Sequence, residues 1–211
     1  MLPVVLVSIL LAVCGLWWGL TVIAWITWEK RFASPTEGTD SLEETEKKPS
    51  WKSKLVDAID FGAPTVLAVG LAVDGFTGPA LLNAAGWSIP IPFSEGFQIL
   101  GTALLFAGLP LFSVGAYLTG RYVYARPPAE RPLLQKGPYR FIRHPIYLAF
   151  MLVATGFILL PLNLIMLPLV YMFTAIRYPK QEEPELIKLY GDAYREYQQR
   201  TGRFLPKFRR G

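Results

Sequence analysis

The only histidine of this chain stands in the run Lys136-Gly137-Pro138-Tyr139-Arg140-Phe141-Ile142-Arg143-His144-Pro145-Ile146-Tyr147, which gathers three cations and three aromatic rings at the edge of an apolar stretch. Those residue types together suit an anionic or amphiphilic group at a membrane surface. Pro145 fits the first position of a helix, where its missing N–H costs nothing, so His144 would stand among unpaired amide donors that favour an anion. Gly137-Pro138 reads as the turn that delivers the chain there. A plainer reading competes: basic loops beside apolar runs also serve as topology signals and lipid-headgroup contacts. Downstream lie a carboxylate pair, Glu182-Glu183, and the spaced tyrosines Tyr190, Tyr194 and Tyr197 around Gly191.

The string Gly-Pro-Tyr-Arg-x-x-Arg-His-Pro-x-Tyr, with Glu182-Glu183 and Tyr190-Gly191-x-x-Tyr194-x-x-Tyr197 after it, resembles the signature of membrane methyltransferases related to isoprenylcysteine carboxyl methyltransferase and the phospholipid N-methyltransferases. The resemblance covers roughly residues 96 to 206. It implies S-adenosylmethionine as cofactor, in a pocket built by the ends of a helical hairpin and the C-terminal segment. Gly137, His144, Pro145, Tyr147, Glu182 and Glu183 carry over from the motif. Methyl transfer from a sulfonium is an in-line displacement in which positioning does most of the work. A site for that cofactor needs acids, cationic or N–H donors and an aromatic slot. His144, Tyr147, Glu182, Glu183, Arg177 and the backbone of Gln135, Lys136 and Gly137 offer that inventory. Arg177 and Glu182 are the expected catalytic pair. Arg177 and Lys188 are further candidates for holding an anionic substrate head or the cofactor carboxylate, and Tyr171 for lining the substrate path. Pro179 and Pro184 flank the glutamates, a departure from the usual pattern. Apart from the resemblance, two acids at a helix start are common, because the helix dipole favours them.

Bulk composition narrows the class. With 52% hydrophobic residues, 18 glycines and 18 prolines in 211 residues, the chain is too apolar for an ordinary soluble domain and reads as an integral membrane protein. One cysteine, Cys14, inside the first apolar run, excludes an internal disulfide, and with one histidine a zinc centre is not expected. The net charge of +5 could suggest nucleic acid, but the cations sort by segment instead. There is no G-x-G fingerprint and no alternation of strand and helix, which excludes a soluble dinucleotide-type fold.

The spacing predicts an all-α membrane bundle of about five spans, with residues 1–95 as an N-terminal membrane region and 96–211 as the core. Leu2 to Trp28 is long enough to span a bilayer, and too long for a signal core. Residues 29–60 form a polar loop, and 61–82 a second span interrupted at Asp74-Gly75 and Gly78-Pro79, with Asp74 a candidate intramembrane acid. Residues 83–95 read as an interfacial loop. Gly96 to Thr119 is the third span, with Gly101, Gly108 and Gly115 as a small-residue stripe for close helix packing. After the basic loop 120–144, apolar arms at 145–162 and 164–178 join around Pro161-Leu162-Asn163 as an antiparallel hairpin. Tyr171, Thr174 and Tyr178 give the second arm a polar stripe. From Glu182 on, one amphipathic cytosolic helix is expected, with its tyrosines as the packing face.

Lys and Arg number six in residues 29–60, six in 120–144 and nine in 177–211, with none elsewhere. Five spans with the N-terminus outside and the C-terminus in the cytosol satisfy the positive-inside rule. The expected function is methyl transfer to a lipophilic acceptor reached from the bilayer, foremost a prenylcysteine-type carboxylate aimed by Arg177, with a lipid amine or a small thiol as the alternatives. The expected partners are that substrate and membrane lipids, not nucleic acid, and oligomeric state is open. The competing reading is a non-catalytic membrane scaffold that retains the motif as packing.

Overall fold

The computed structural model describes residues 2–32, 70, 73, 92–126, 130–160 and 178–207. The second span with Asp74, the hairpin turn at 161–163, the second arm with Tyr171 and Thr174, and Arg177 lie outside the described residues, as do most of the loops 29–60 and 83–95. The described part is helical, and its one strand-like feature is a parallel bridge between Ile142 and Gly202.

Helix α1, Val4–Phe32, and helix α2, Ser94–Thr119, both contain stretches long and apolar enough to cross a membrane. At 29 and 26 residues, they rise by roughly 40 Å each, more than a hydrocarbon core of about 30 Å. Helix α2 does not stop at Thr119 as the spacing suggested. It runs on through one π-helical turn, Gly120–Tyr124, so the basic loop begins later than expected. Helix α3, Pro145–Leu159, starts with His144 as its N-cap and Pro145 in the first turn, as the proline rule predicts.

The glycine stripe of α2 is the seam against α3. A Cβ on Gly101 would lie 2.9 Å from Leu159 Cβ, one on Gly108 2.8 Å from Val153 Cγ2, and one on Gly115 2.8 Å from Ile146 Cγ1. Because rising numbers on α2 meet falling numbers on α3, the two helices are antiparallel. The glycines let their backbones close to a distance that any side chain would prevent. Helix α1 packs across this pair through Trp18, whose ring lies 4.4 Å from that of Phe112 on α2 and 5.7 Å from that of Phe150 on α3. At one end the fully buried Gln98 accepts from the Leu2 N–H at 2.8 Å and donates to the Leu160 carbonyl at 3.1 Å, so one amide ties all three helices.

The expected single C-terminal helix is two. Helix α4, Tyr178–Tyr190, and helix α5, Asp192–Arg200, are separated by Gly191 at φ +56, a left-handed conformation that glycine adopts without cost. Helix α4 also begins four residues before Glu182, so the glutamates lie beyond its first turn, outside the reach of the dipole argument.

Candidate active site around His144

The opposite end of α3 from Gln98 carries the polar knot of the molecule. His144 is held at the helix start, with its ring 4% exposed, and α4 brings Glu183, 8% exposed, against it. Glu183 Oε1 lies 3.1 Å from His144 Nε2, 3.2 Å from Arg143 Nε and 3.2 Å from Arg203 Nε. Its Oε2 accepts from Arg203 Nη2 at 2.6 Å and from Gln198 Nε2 at 3.5 Å. Five donors thus converge on a carboxylate with about four lone-pair sites, which leaves it nothing to offer a ligand. Burial alone would raise its pKa. The hydrogen bonds from Arg203 and His144 and the charges of Arg143 and Arg203 outweigh that and bring it down to about 2.

Two arginines position the knot in different ways. Arg143 Nη1 also donates to the carbonyls of Gln198 at 3.2 Å and Thr201 at 2.5 Å, closing the end of α5 with a cation where the helix dipole favours one. Arg203 grips Glu183 with both prongs, and the contact raises its own pKa. The backbone seals the arrangement: Gly202 N–H donates to Phe141 O at 3.3 Å, Arg143 N–H to Gly202 O at 2.9 Å and His144 N–H to Arg203 O at 3.1 Å. The Tyr197 hydroxyl donates to the Tyr139 carbonyl at 2.6 Å, pinning the loop from below, and burial pushes its pKa up to about 12.

Glu182 is placed differently from its neighbour. Its Oε2 is 3.4 Å from His144 Nδ1, on the other side of the imidazole from Glu183. That oxygen is buried and has no hydrogen-bond partner among the described residues. The Tyr194 hydroxyl, on a residue 1% exposed, is likewise buried without a partner, and burial raises its pKa, with Glu183 and Glu182 adding to the effect. The Glu182 oxygen beside the histidine is, among the described residues, an unsatisfied acceptor that a ligand could fill. The rings of Tyr147, at 5.4 Å and stacked, and Phe204, at 6.2 Å, lie against the imidazole.

Of the residues expected from the sequence, His144, Pro145, Tyr147, Glu182 and Glu183 come together. Gly137 opens the 3₁₀ turn Gly137–Arg140 at φ +56, as the turn reading required. Gln135 and Lys136 are exposed and face elsewhere: with Tyr122, Arg126, Pro132, Leu133 and Leu134 they line a separate cleft of about 420 Å³, and Lys136 Nζ lies 4.1 Å from the centre of the Tyr122 ring. Lys188 is exposed on α4. Arg177 and Tyr171 lie outside the described residues. Sequence reasoning missed Arg203 and Gln198, gave Tyr194 only a packing role, and counted Arg143 only as one cation of a loop. Gly202 before Arg203 and Pro206 after it were the available sign that this segment turns back rather than trailing away.

Residues 96–188 match the profile of the isoprenylcysteine carboxyl methyltransferase (ICMT) family. Over 144 residues the chain is 32% identical to methanethiol S-methyltransferase 1 of Bradyrhizobium diazoefficiens, an alignment that takes in 66% of this chain and 42% of that protein. The chain therefore spans less than half the length of that relative. Both matches support the likeness expected from the His144 and Glu182-Glu183 motifs: residues 96–188 are similar to the ICMT family.

Proposed function

We propose that this ICMT-like chain is an S-adenosylmethionine-dependent methyltransferase of the membrane surface, facing the cytosol, whose acceptor is a small lipophilic thiol. The observation that carries this reading is the open Glu182 oxygen beside His144 Nδ1. A carboxylate acceptor is already ionised and needs a cation to aim it. The two guanidinium groups of the knot are committed to Glu183 and to backbone carbonyls. A thiol needs the reverse, a group to take its proton, and Glu182 with His144 Nδ1 is such a group. The relative that methylates a thiol, according to its name, points the same way.

The residues present fit the cofactor. Its carboxylate suits the open Tyr194 hydroxyl, its rings suit the Tyr147 and Phe204 faces, and the Gly137 turn brings backbone to the same end of α3. When bound, it supplies a methyl group on a positively charged sulfur. Glu182 and His144 would take the acceptor proton as the methyl group that the cofactor would supply is transferred to the thiol sulfur. Glu183 and its arginines hold the histidine still and do not enter the reaction.

The test is methyl transfer by the purified protein in detergent, from labelled S-adenosylmethionine to a short alkyl thiol, a prenylcysteine and a lipid amine. The thiol should be methylated, with turnover rising as pH rises, and Glu182→Gln should lose turnover while calorimetric cofactor binding persists. Methyl ester formation on the prenylcysteine at a rate flat with pH would establish the carboxylate reading, with Arg177 as its cation. Absence of cofactor binding would establish the scaffold reading.

A further inference from the structure

Three residues distant in sequence close a ring around the imidazole. The His144 N–H donates to the Arg203 carbonyl at 3.1 Å, the Arg203 guanidinium grips Glu183 at 2.6 and 3.2 Å, and Glu183 Oε1 lies 3.1 Å from His144 Nε2. Each link constrains the next. An ionised carboxylate only accepts hydrogen bonds, so the nitrogen facing Glu183 must carry a proton. The other nitrogen, Nδ1, lies 3.4 Å from Glu182 Oε2 without a hydrogen bond between them, so no such constraint places a proton there.

We infer that Arg203 is a positioning residue for methyl transfer: by holding Glu183 in place it fixes His144 as the Nε2–H tautomer and leaves the Nδ1 lone pair turned toward Glu182 and the reacting thiol. The charges that face the ring are Glu182 and Glu183 from α4, Arg143 from the loop and Arg203 from the returning segment. Glu183 stays ionised because these cations hold its pKa at about 2. Losing Arg203 removes two of the five donors on Glu183, leaving Oε2 with only Gln198 at 3.5 Å, so the carboxylate can turn about the Oε1 held by Arg143 and hold the Nε2 proton less firmly. Arg203 itself is 40% exposed along its side chain, so replacing it opens no cavity. The effect would pass through His144 alone.

Because the chain has a single histidine, nitrogen-15 labelling of histidine gives a spectrum of His144 and nothing else. In micelles, at a pH where the spectrum itself shows the ring to be neutral, the wild-type protein should show a proton on Nε2 and a bare Nδ1. Arg203→Gln should show a mixture of tautomers and lose about tenfold or more in kcat, with the KM for the thiol little changed. Arg203→Lys, which keeps one prong, should fall between the two in both readouts. A wild-type ring protonated on Nδ1 would overturn the inference. So would an Arg203→Gln protein with the wild-type spectrum and turnover within twofold, and if that variant does not fold, a wild-type spectrum and turnover in Arg203→Lys would do the same. The kinetic arm rests on the thiol-methylation reading and the spectroscopic arm does not. If no acceptor is methylated and the spectra are as expected, that reading fails and the tautomer assignment stands.

Discussion

The two ends of helix α3 are stabilised by opposite means. Along its length, Ile146, Val153 and Leu159 close on Gly115, Gly108 and Gly101 in a seam without a charge. At its start, Glu183 gathers His144, Arg143 and Arg203 in a buried knot of ions. The seam gains from close packing along a repeated period. The knot has to offset the cost of desolvating its charges, and it does so because five donors converge on the Glu183 carboxylate. A seam of that kind tolerates no added volume, whereas a knot of that kind tolerates no missing member. Along one helix, changes in the seam should therefore cost stability alone, and changes in the knot both stability and chemistry.

The largest effect should follow from removing the hub. Glu183→Ala leaves two guanidinium groups and an imidazole without their counter-charge, at a cost of about 3 to 5 kcal/mol. Thermal unfolding in detergent should show it as the most destabilising single change in either region, with turnover lost as well. A Glu183→Ala protein of wild-type stability would mean that the ions contribute no more than an apolar cluster.

Acid should dissolve the knot before it reaches the seam. With a folded-state pKa of about 2 against roughly 4.3 for a free glutamate, Glu183 contributes stability that is full above the higher value and lost as pH falls through the lower one. At about 1.4 kcal/mol per unit the difference is on the order of 3 kcal/mol. Unfolding free energy measured from pH 5 down to pH 2 should fall by about that amount in the wild type. In Glu183→Gln that part of the slope should vanish.

Overpacking the seam comes next. Gly108→Val places two methyls where even a Cβ would be 2.8 Å from Val153, and should destabilise by about 1 to 3 kcal/mol. Turnover per folded molecule should stay near wild type, since the seam touches no member of the knot. A fall in kcat with unchanged stability would show that α3 transmits its position to His144. Smallest of all, Asp192→Asn breaks the ion pair to Arg195 at 2.8 Å on the surface of α5, and should leave the unfolding temperature unmoved. A loss comparable to the seam mutation would contradict the distinction between exposed and buried pairs.

The same contrast governs what could be read from the sequence. The apolar runs of α1 and α2, the glycine stripe and the start of α3 at Pro145 were legible because each rests on a local period or a backbone rule. The split within Glu182-Glu183 was not. Both acids stand side by side in the chain, and only the positions of Arg143, 40 residues away, and Arg203, 20 residues away, decide which one is saturated. Arg203 drew no attention because a two-residue bridge such as Ile142 with Gly202 leaves no alternation to detect. The break at Gly191 was written in the sequence as a glycine, yet the tyrosine spacing across it kept helical phase and concealed it.

The pairing of residues 141–144 with 202–203 also sets an order of events during synthesis. Helices α1, α2 and α3 are translated and can settle in the bilayer while Arg203 has still to be added to the chain. Until it arrives, Glu183 lacks its strongest partner and the backbone beside His144 lacks its bridge. On the methyltransferase reading proposed above, the site around His144 is therefore completed only late in synthesis, once residues 202–203 have been added.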